Sequence, residues 1–429
     1  MRTYKISTLG CKVNQQESEA LAFDFERLGF LPAHKGETAD VCVINSCAVT
    51  SIAESKTRQR IRQARKMNPE ALLCLVGCLP EVSRESALAI PEVDLVVGSL
   101  EKEQTAKIVM EALSGIQEDV SRNIRSRPEF ARNGSTQSPH RTRAFIKIED
   151  GCDRYCTYCI VPHARGAVRS RRMEDVLTEA EEMLASGYKE LVLTGINLAL
   201  YGSDLSGKIG LYEMAERICA INANGEYRVR LGSLEPTVVN AYEAVRIAQI
   251  RGICPQFHLS LQSGAARTLK DMGRPYTPGE YAEIVKELRK IDPLFSVTTD
   301  IIVGFPGESD ADFEESLKFV QKMEFAHVHV FKYSKRPGTR AAEMPGQVSE
   351  AVKKERSRYM IKAAEEGAVS FLNLNKGSCR RTLIFGPDKS GRKTRGLTDN
   401  GIEVLLPAEK ADYEPNSLAD IRYLLYNIE

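Results

Sequence analysis

The chain contains no run of about 18 apolar residues, so no membrane-spanning helix is expected. Its opening residues, MRTYKISTLG, hold no apolar stretch able to serve as a signal sequence. It also lacks an excess of either charge: 59 Lys and Arg stand against 58 Asp and Glu, for a formal charge of +1. A uniformly basic nucleic-acid binder is thereby excluded, although local basic patches are not. Repeats and low-complexity tracts are missing as well. So is a disulfide framework, because the 11 cysteines are odd in number and not spaced as in a small secreted scaffold. The expected compartment is the cytosol, where thiols stay reduced. Clustered, reduced cysteines then point to metal ligation or thiol chemistry.

What is present divides into three parts. The chain has 429 residues, 42% of them apolar, enough for about three domains of roughly 150 residues. Residues 1–115 alternate strand candidates at 4–8, 41–45, 72–76 and 93–97 with helical patterns at 16–28 and 53–67. Such alternation predicts a parallel sheet covered on both faces, a doubly wound, flavodoxin-like α/β domain. Residues 116–141 are polar and basic, and read as a linker that contacts a polyanion or merely solvates. Residues 142–368 carry six strand candidates, at 144–148, 190–194, 227–232, 256–261, 296–303 and 327–333. Helical patterns at 173–186, 237–249, 278–291 and 310–323 fall between them. Six successive βα units predict a partial (β/α)6 barrel, short of the eight units of a closed one. Residues 369–429 read as short strands with turns, a small C-terminal β-barrel module with a basic front of Arg380, Arg381, Lys389, Arg392, Lys393 and Arg395.

The strongest chemical signal is GCDRYCTYC, which sets Cys152, Cys156 and Cys159 in a C-x3-C-x2-C pattern after the first barrel strand. A 4Fe-4S cluster normally takes four cysteines. Three leave one iron open, and S-adenosylmethionine can chelate it through its amino and carboxylate groups. One-electron reduction of the sulfonium then yields a 5′-deoxyadenosyl radical, so the cofactor carries the hard chemistry. The alternative is a Cys3His zinc site completed by His163. The other strand ends favour the cluster. LTGIN places Gly195 and Asn197 after the second barrel strand, and LGSLEP places Ser233 and Glu235 after the third. SLQSG places Gln262 and Ser263 after the fourth, and DIIVGFPGE places Gly304 and Gly307 after the fifth. Small and polar residues at successive strand ends suit a nucleoside-like cofactor, with a plain turn as the alternative at each.

A second triad is dispersed. STLGC, INSC and LVGC put Cys11, Cys47 and Cys78 just after three N-terminal strands. In an open parallel sheet, ligands bind beyond the carboxyl ends of the strands, so these thiols can converge. Three unrelated packing cysteines are the alternative. Cys42 and Cys74 lie inside strands and, with Cys219, Cys254 and Cys379, are assigned to packing or to no role. A second open cluster can hold an exogenous sulfide, which beside a radical generator points to C–S bond formation.

Basic stretches surround these motifs. KTRQRIRQARK contains Lys56, Arg58, Arg60, Arg62, Arg65 and Lys66, and Arg165, Arg169, Arg171 and Arg172 follow the three-cysteine loop. Together with the linker and the C-terminal module they suggest a folded RNA as partner; solvated helix faces are the alternative. No acid–base pair is named for the radical step. His258 and His327 fall in strand patterns and read as core residues.

The segments TLGCKVNQQESEA, INSCAVT, GCDRYCTYCIVPHARGAVRSRR, HLSLQSG, MGRPYTPGEY, TTDIIVGFPGES and HVFKYSKRPGTRA occur in order across residues 1–368. They resemble the radical S-adenosylmethionine methylthiotransferases, and most of all the branch acting on threonylcarbamoyladenosine next to the tRNA anticodon. The resemblance implies two 4Fe-4S clusters, a radical one on Cys152, Cys156 and Cys159 and an auxiliary one on Cys11, Cys47 and Cys78. It also implies two uses of S-adenosylmethionine, the tRNA anticodon stem-loop as partner, an electron donor and a sulfur source. Residues 369–429 would be the family's small RNA-binding TRAM domain. Isopentenyladenosine in tRNA and a ribosomal-protein aspartate are the neighbouring substrates. A non-catalytic, cysteine-metal RNA-binding protein is the alternative from another class. One departure falls at Leu79-Pro80, where relatives carry an aromatic and a small residue, which leaves the turn after Cys78 open.

Overall fold

A computed structural model describes residues 1–34, 36–99, 101–115, 142–207, 209–223, 225–236, 239–388, 390–407 and 413–423. The basic linker at 116–141 and Lys389 lie outside the described residues. The chain divides into two compact units, the first holding 1–138, 149–170 and 334–342 and the second holding 139–148, 171–333 and 343–429.

Runs such as VCVINS and LLCLVG, apolar without alternation, become strands buried on both faces. In the first unit β1 (Thr3–Thr8), β2 (Leu31–Pro32), β3 (Val41–Ser46), β4 (Leu72–Gly77) and β5 (Leu95–Val97) pair in parallel in the order β2-β1-β3-β4-β5. That is the expected flavodoxin-like order. The sequence reading missed β2, whose two residues include a proline tolerated only at a sheet edge. Alternate side chains serve two cores. Val41 and Val43 pack with Leu21 and Phe25 of α1 (Lys12–Arg27), while Cys42 and Ile44 pack with Ile61 of α2 (Ser51–Met67). The Thr50 hydroxyl caps α2 by accepting from the Ala53 N–H at 3.1 Å. The turn left open at Leu79-Pro80 is α3 (Cys78–Val82), a single helical turn followed by α4 (Arg84–Leu88) and α5 (Thr105–Leu113).

The next strand, β6 (Arg143–Lys147), opens the second unit's sheet. The excursion that follows belongs to the first unit. It is clasped at its base by the antiparallel pair β7 (Glu149–Asp150) and β8 (Arg169–Ser170), with α6 (Val161–Arg165) between them.

In the second unit α7 (Met173–Ala185), β9 (Glu190–Thr194), α8 (Leu211–Cys219), β10 (Arg228–Leu231), β11 (Ser233–Leu234), α9 (Ala241–Ala248), β12 (Gln256–Leu259), α10 (Ala266–Asp271), α11 (Pro278–Ile291), β13 (Ser296–Val303), α12 (Asp310–Met323) and β14 (His327–Lys332) follow. The strands are parallel and neighbour one another in chain order; β10 falls within the strand expected at 227–232, and β11 adds two residues just beyond it, where a turn was expected. Among the described residues β6 and β14 do not pair, so six units form an open barrel. Capping boxes at Thr277–Glu280 and Ser309–Asp312 start α11 and α12. A short α13 (Arg340–Glu343) precedes α14 (Glu350–Asn375), which leads into β15 (Cys379–Pro387), β16 (Lys393–Thr398), β17 (Glu403–Pro407) and β18 (Leu418–Arg422). These four strands form an antiparallel sheet in the order β17-β16-β15-β18, and Phe371 of α14 shares their core.

A buried carboxylate fastens the barrel to that sheet. Glu190 is fully buried and bonds Arg143, Arg228 and Arg230 at 2.6–3.0 Å. Arg228 donates onward to the carbonyls of Arg381 and Leu397, and Arg230 to that of Thr398. Burial alone would raise the Glu190 pKa, but the three guanidinium groups hold it well below the usual carboxylate range.

Candidate functional site

Cys11, Cys47 and Cys78 each stand one to three residues beyond β1, β3 and β4. Two side chains and two glycines bring their loops together. The Asn14 amide, in the first turn of α1, donates to the carbonyls of Leu9 at 2.7 Å and Ser46 at 3.0 Å, joining the first loop to the second. The Ser46 hydroxyl donates to the Val76 carbonyl at 2.6 Å and accepts from the Leu79 N–H at 3.2 Å, joining the second to the third. Gly10, at φ +107°, lets the first loop reach Cys47: a Cβ there would lie 2.9 Å from the Cys47 Cβ and 3.2 Å from its sulfur. Gly77, at φ +103°, lies so close to Ser46 that a Cβ would meet its carbonyl at 2.6 Å.

These thiols sense one another. Burial pushes the Cys47 thiol up to about 11, and the neighbouring Cys78 and Cys11 add to the rise. The Val49 N–H and the Arg165 guanidinium oppose it. A buried thiol that is costly to ionise alone suits a metal centre, which supplies the missing positive charge. Cys47 and Cys78 are buried and Cys11 is exposed, leaving one side of the triad approachable. By contrast Cys42, Cys74 and Cys254 are buried and outside either triad, where burial raises their thiols, Cys254 to about 11.

Arg165, in α6, faces this triad. It is 2% exposed and donates to Glu17 and Asp150 at 2.9 Å and to the side-chain amide oxygen of Asn14 at 2.6 Å. Lys102 pairs with Glu17, and Arg169 with Asp150 at 3.5 Å. Burial works against the Arg165 charge, but Asp150, Glu17, Cys78 and Cys11 outweigh it, so the group stays cationic.

The contiguous triad occupies the clasped excursion of the same unit. Cys152 donates its N–H to the Gly166 carbonyl at 3.0 Å, and the Cys159 N–H bonds the Cys156 carbonyl at 2.9 Å. The Ala341 N–H holds the Thr157 carbonyl at 2.8 Å. Tyr155, at φ +46°, is strained in the left-handed region between two of the cysteines. The exposed His163 ring meets Tyr155 edge-on at 6.3 Å.

The strand-end residues lie in the second unit. Two of them meet: the Asn197 amide donates to Glu235 at 2.8 Å, although they are far apart in sequence. Glu235 is buried and ion-paired with Arg274 at 3.0 Å. Arg274 donates to Tyr276 at 3.0 Å and to the Ser260 carbonyl at 2.8 Å, and Tyr276 to the Leu261 carbonyl at 2.7 Å. The sequence reading missed Arg274 and Tyr276, although both stand in the MGRPYTPGEY segment. Gln262, at φ +74°, is strained like Tyr155 and bridges β13 through backbone bonds to Asp300 and Ile302. Ser263 is buried and accepts the Ala265 N–H at 3.2 Å, which fixes the turn. Ser233 and Gly195 are half-buried at their strand ends. The Gly304 N–H donates to Glu308 at 2.7 Å, and Glu308 is held by Arg356 at 2.6 Å. Gly307 bonds the Gly346 carbonyl at 2.9 Å.

His258 and His327 are not core residues. Val297, Thr299, Ile301 and Val303 of β13 are buried, and the opposite face carries Thr298 and Asp300. His258 bonds Thr298 at 3.0 Å and Asp300 at 3.2 Å on that face, and His327 approaches His329 at 3.2 Å beside them. Among the described residues His258, Asp300 and His329 are the one set of three donor atoms within 4.8 Å of one another.

The basic stretches divide. Arg171 is buried against Glu179, and Arg165 against Glu17, so neither offers its charge to an outside polyanion. Arg65 is turned inward onto Asp94 and the carbonyls of Pro69, Ala71 and Glu92. Arg380 pairs with Asp292 at 2.8 Å, and Arg381 with Glu226. Lys56, Arg60, Arg62, Lys66, Arg172, Arg392 and Arg395 stay exposed. No helix among the described residues is long and apolar enough to cross a membrane.

Residues 146–320 match the Radical SAM superfamily, and residues 3–98 match Uncharacterized protein family UPF0004. The chain is 41% identical over 386 residues to the threonylcarbamoyladenosine tRNA methylthiotransferase MtaB of Thermotoga maritima, across 89% of this chain and 86% of that protein. It is 35% identical over 419 residues to the protein of the same name from Bacillus subtilis, across 94% and 90%. It is also 35% identical over 409 residues to the tRNA-2-methylthio-N(6)-dimethylallyladenosine synthase of Caldicellulosiruptor saccharolyticus, across 92% and 85%. A solved structure of the radical S-adenosylmethionine methyltransferase TsrM from Kitasatospora setae aligns with a TM-score of 0.58 at 12% identity, over 80% of this chain and 75% of that one, a likeness of fold alone.

Proposed function

This chain belongs to the radical S-adenosylmethionine methylthiotransferase family, and we propose that it places a methylthio group on C2 of N6-threonylcarbamoyladenosine at position 37 of tRNA. The observation that carries this reading is the pair of cysteine triads in one compact unit. The choice of nucleoside rests on the relatives, of which the two named for threonylcarbamoyladenosine are 41% and 35% identical. The exposed basic residues of α2 (Lys56, Arg60, Arg62 and Lys66), with Arg392 and Arg395, support an RNA partner, in the cytosol where tRNA is handled.

In this reading Cys152, Cys156 and Cys159 hold the 4Fe-4S cluster that the family uses with S-adenosylmethionine, and Cys11, Cys47 and Cys78 hold a second. When bound, the first cluster and S-adenosylmethionine supply one-electron cleavage of a C–S bond. The chain's own residues position and shield. Asn197, Glu235 and Arg274 form a buried polar triad able to orient an amino acid moiety by its two charged ends. Ser233, Gln262 and Ser263 and the turns at Gly195 and Gly304 line the remaining strand ends for a nucleoside. Residues 1–115 serve as the sulfur-inserting domain, 142–368 as the radical core and 369–429 as an RNA-binding module, with 116–141 as linker. An electron donor and a sulfur source complete the system.

Mass spectrometry of tRNA nucleosides from a strain lacking the chain tests the proposal. Loss of the methylthiolated threonylcarbamoyl nucleoside alone is expected. Loss of the methylthiolated isopentenyl nucleoside, with the former intact, would move the substrate to the neighbouring branch.

A further inference from the structure

A parallel sheet with helices on both faces has no need of a buried arginine at its carboxyl edge. Taking such an ion out of water is costly unless it is paired. Arg165 is nonetheless 2% exposed, and its partners Glu17 and Asp150 are themselves buried. The arrangement is directed at the dispersed thiols. The side-chain amide oxygen of Asn14 that accepts from Arg165 at 2.6 Å also lies 3.9 Å from the Cys11 sulfur. The amide of the same side chain ties the Cys11 loop to the carbonyl before Cys47. On the other side α6 packs on α3, which begins at Cys78, and Ala164 shares a core with Cys78 and Leu79. Arg165 thus adjoins all three cysteine-bearing loops. Along its chain of ion pairs, Lys102 and Arg165 share Glu17, and Arg165 and Arg169 share Asp150, which fixes the guanidinium in place beside the thiols.

We propose that Arg165 is the positioning residue of the auxiliary centre: its fixed charge, aimed through Asn14 and Glu17, offsets the thiolates of Cys11, Cys47 and Cys78 and sets the reduction potential of the cluster they hold. The inference rests on the reading that this triad holds a second cluster. It also links the two triads, because Arg165 ends the helix that follows Cys159, so the excursion carrying the first set of thiols supplies the cation of the second.

The test uses the full-length chain with Cys152, Cys156 and Cys159 replaced by alanine, which leaves only the auxiliary site. After anaerobic reconstitution, iron content and an EPR-monitored redox titration are read. Arg165→Gln shifts the midpoint to more negative potential, because a cation that favours the reduced cluster has gone. Glu17→Gln, which spares Arg165 and removes an opposing anion, shifts it to more positive potential. Arg165→Lys stays near the parent. A parent chain without iron overturns the second cluster and this inference together. A parent with a cluster whose midpoint is unmoved by Arg165→Gln and Glu17→Gln overturns the inference alone. So does equal loss of iron from all three variants, which would make the network merely structural.

Discussion

Cys152, Cys156 and Cys159 share one loop, clasped at its base by β7 and β8, whereas Cys11, Cys47 and Cys78 stand on three loops separated by helices. The first triad is carried on a single short stretch of chain, with the Ala341 N–H on the Thr157 carbonyl as a support from outside it. The second needs the sheet order β1-β3-β4, the close approaches at Gly10 and Gly77, and the hydrogen bonds of Asn14 and Ser46. The contiguous triad therefore depends less on the rest of the fold than the dispersed one, which depends on packing. The charge around them differs too. The dispersed triad has a buried cation of its own, Arg165, drawn from the excursion that bears the other.

The largest effect separates the roles. Cys156→Ala should abolish reductive cleavage of S-adenosylmethionine, whereas Cys47→Ala should keep cleavage and abolish methylthiolated product. Each should lower iron by one cluster per chain. Equal loss of cleavage in both would merge the two triads into one function.

Asn14→Ala comes next and tests the dependence on packing. Outer groups that hold metal ligands typically contribute 10–100-fold in metal affinity. Iron retention by the dispersed triad should fall by about that factor under a chelator challenge, with the contiguous triad's share unchanged. An even loss from both would erase the contrast.

Glu235→Gln touches neither triad. It breaks the Glu235–Arg274 ion pair and removes a charge-assisted bond worth about 1.5–3 kcal/mol. The expected result is roughly a tenfold or greater rise in KM for S-adenosylmethionine at unchanged iron content. An unchanged KM would remove Glu235 from the cofactor site.

Smallest in its effect on product is Glu190→Gln, a buried network of the second unit remote in role from the cysteines. Breaking it leaves three guanidinium groups short of a partner and should cost about 3–5 kcal/mol of stability, read as a lowered Tm. The sign with pH follows from a folded pKa held below the unfolded one. The stabilisation is complete above about pH 4.3, the unfolded carboxylate value, and is lost as pH falls toward the folded value. The gap in Tm between parent and variant should therefore narrow on acidification. A gap that widened would contradict the ionised assignment.

Much of this was legible in one dimension. The strand–helix alternation predicted both parallel sheets, because period and apolar runs are local properties. Charge was read less well. Arg165, Arg171, Arg65 and Arg380 counted as basic surface, yet each is turned onto an acid or a carbonyl brought to it by the fold. A run of arginines shows how many cations there are and not which way they face. His258 and His327 illustrate the converse, since a strand pattern alone does not say which of its two faces is covered by helices.

The order of residues by itself determined the contiguous thiols, the strand-end turns and the family, since all of these are written in short segments. Tertiary structure decided which distant side chains became partners: Asn197 with Glu235, and Asn14 and Glu17 with Arg165. The physical reason is that a buried charge is tolerated only where another part of the chain is folded against it, and that condition is met in space, between residues the sequence keeps far apart.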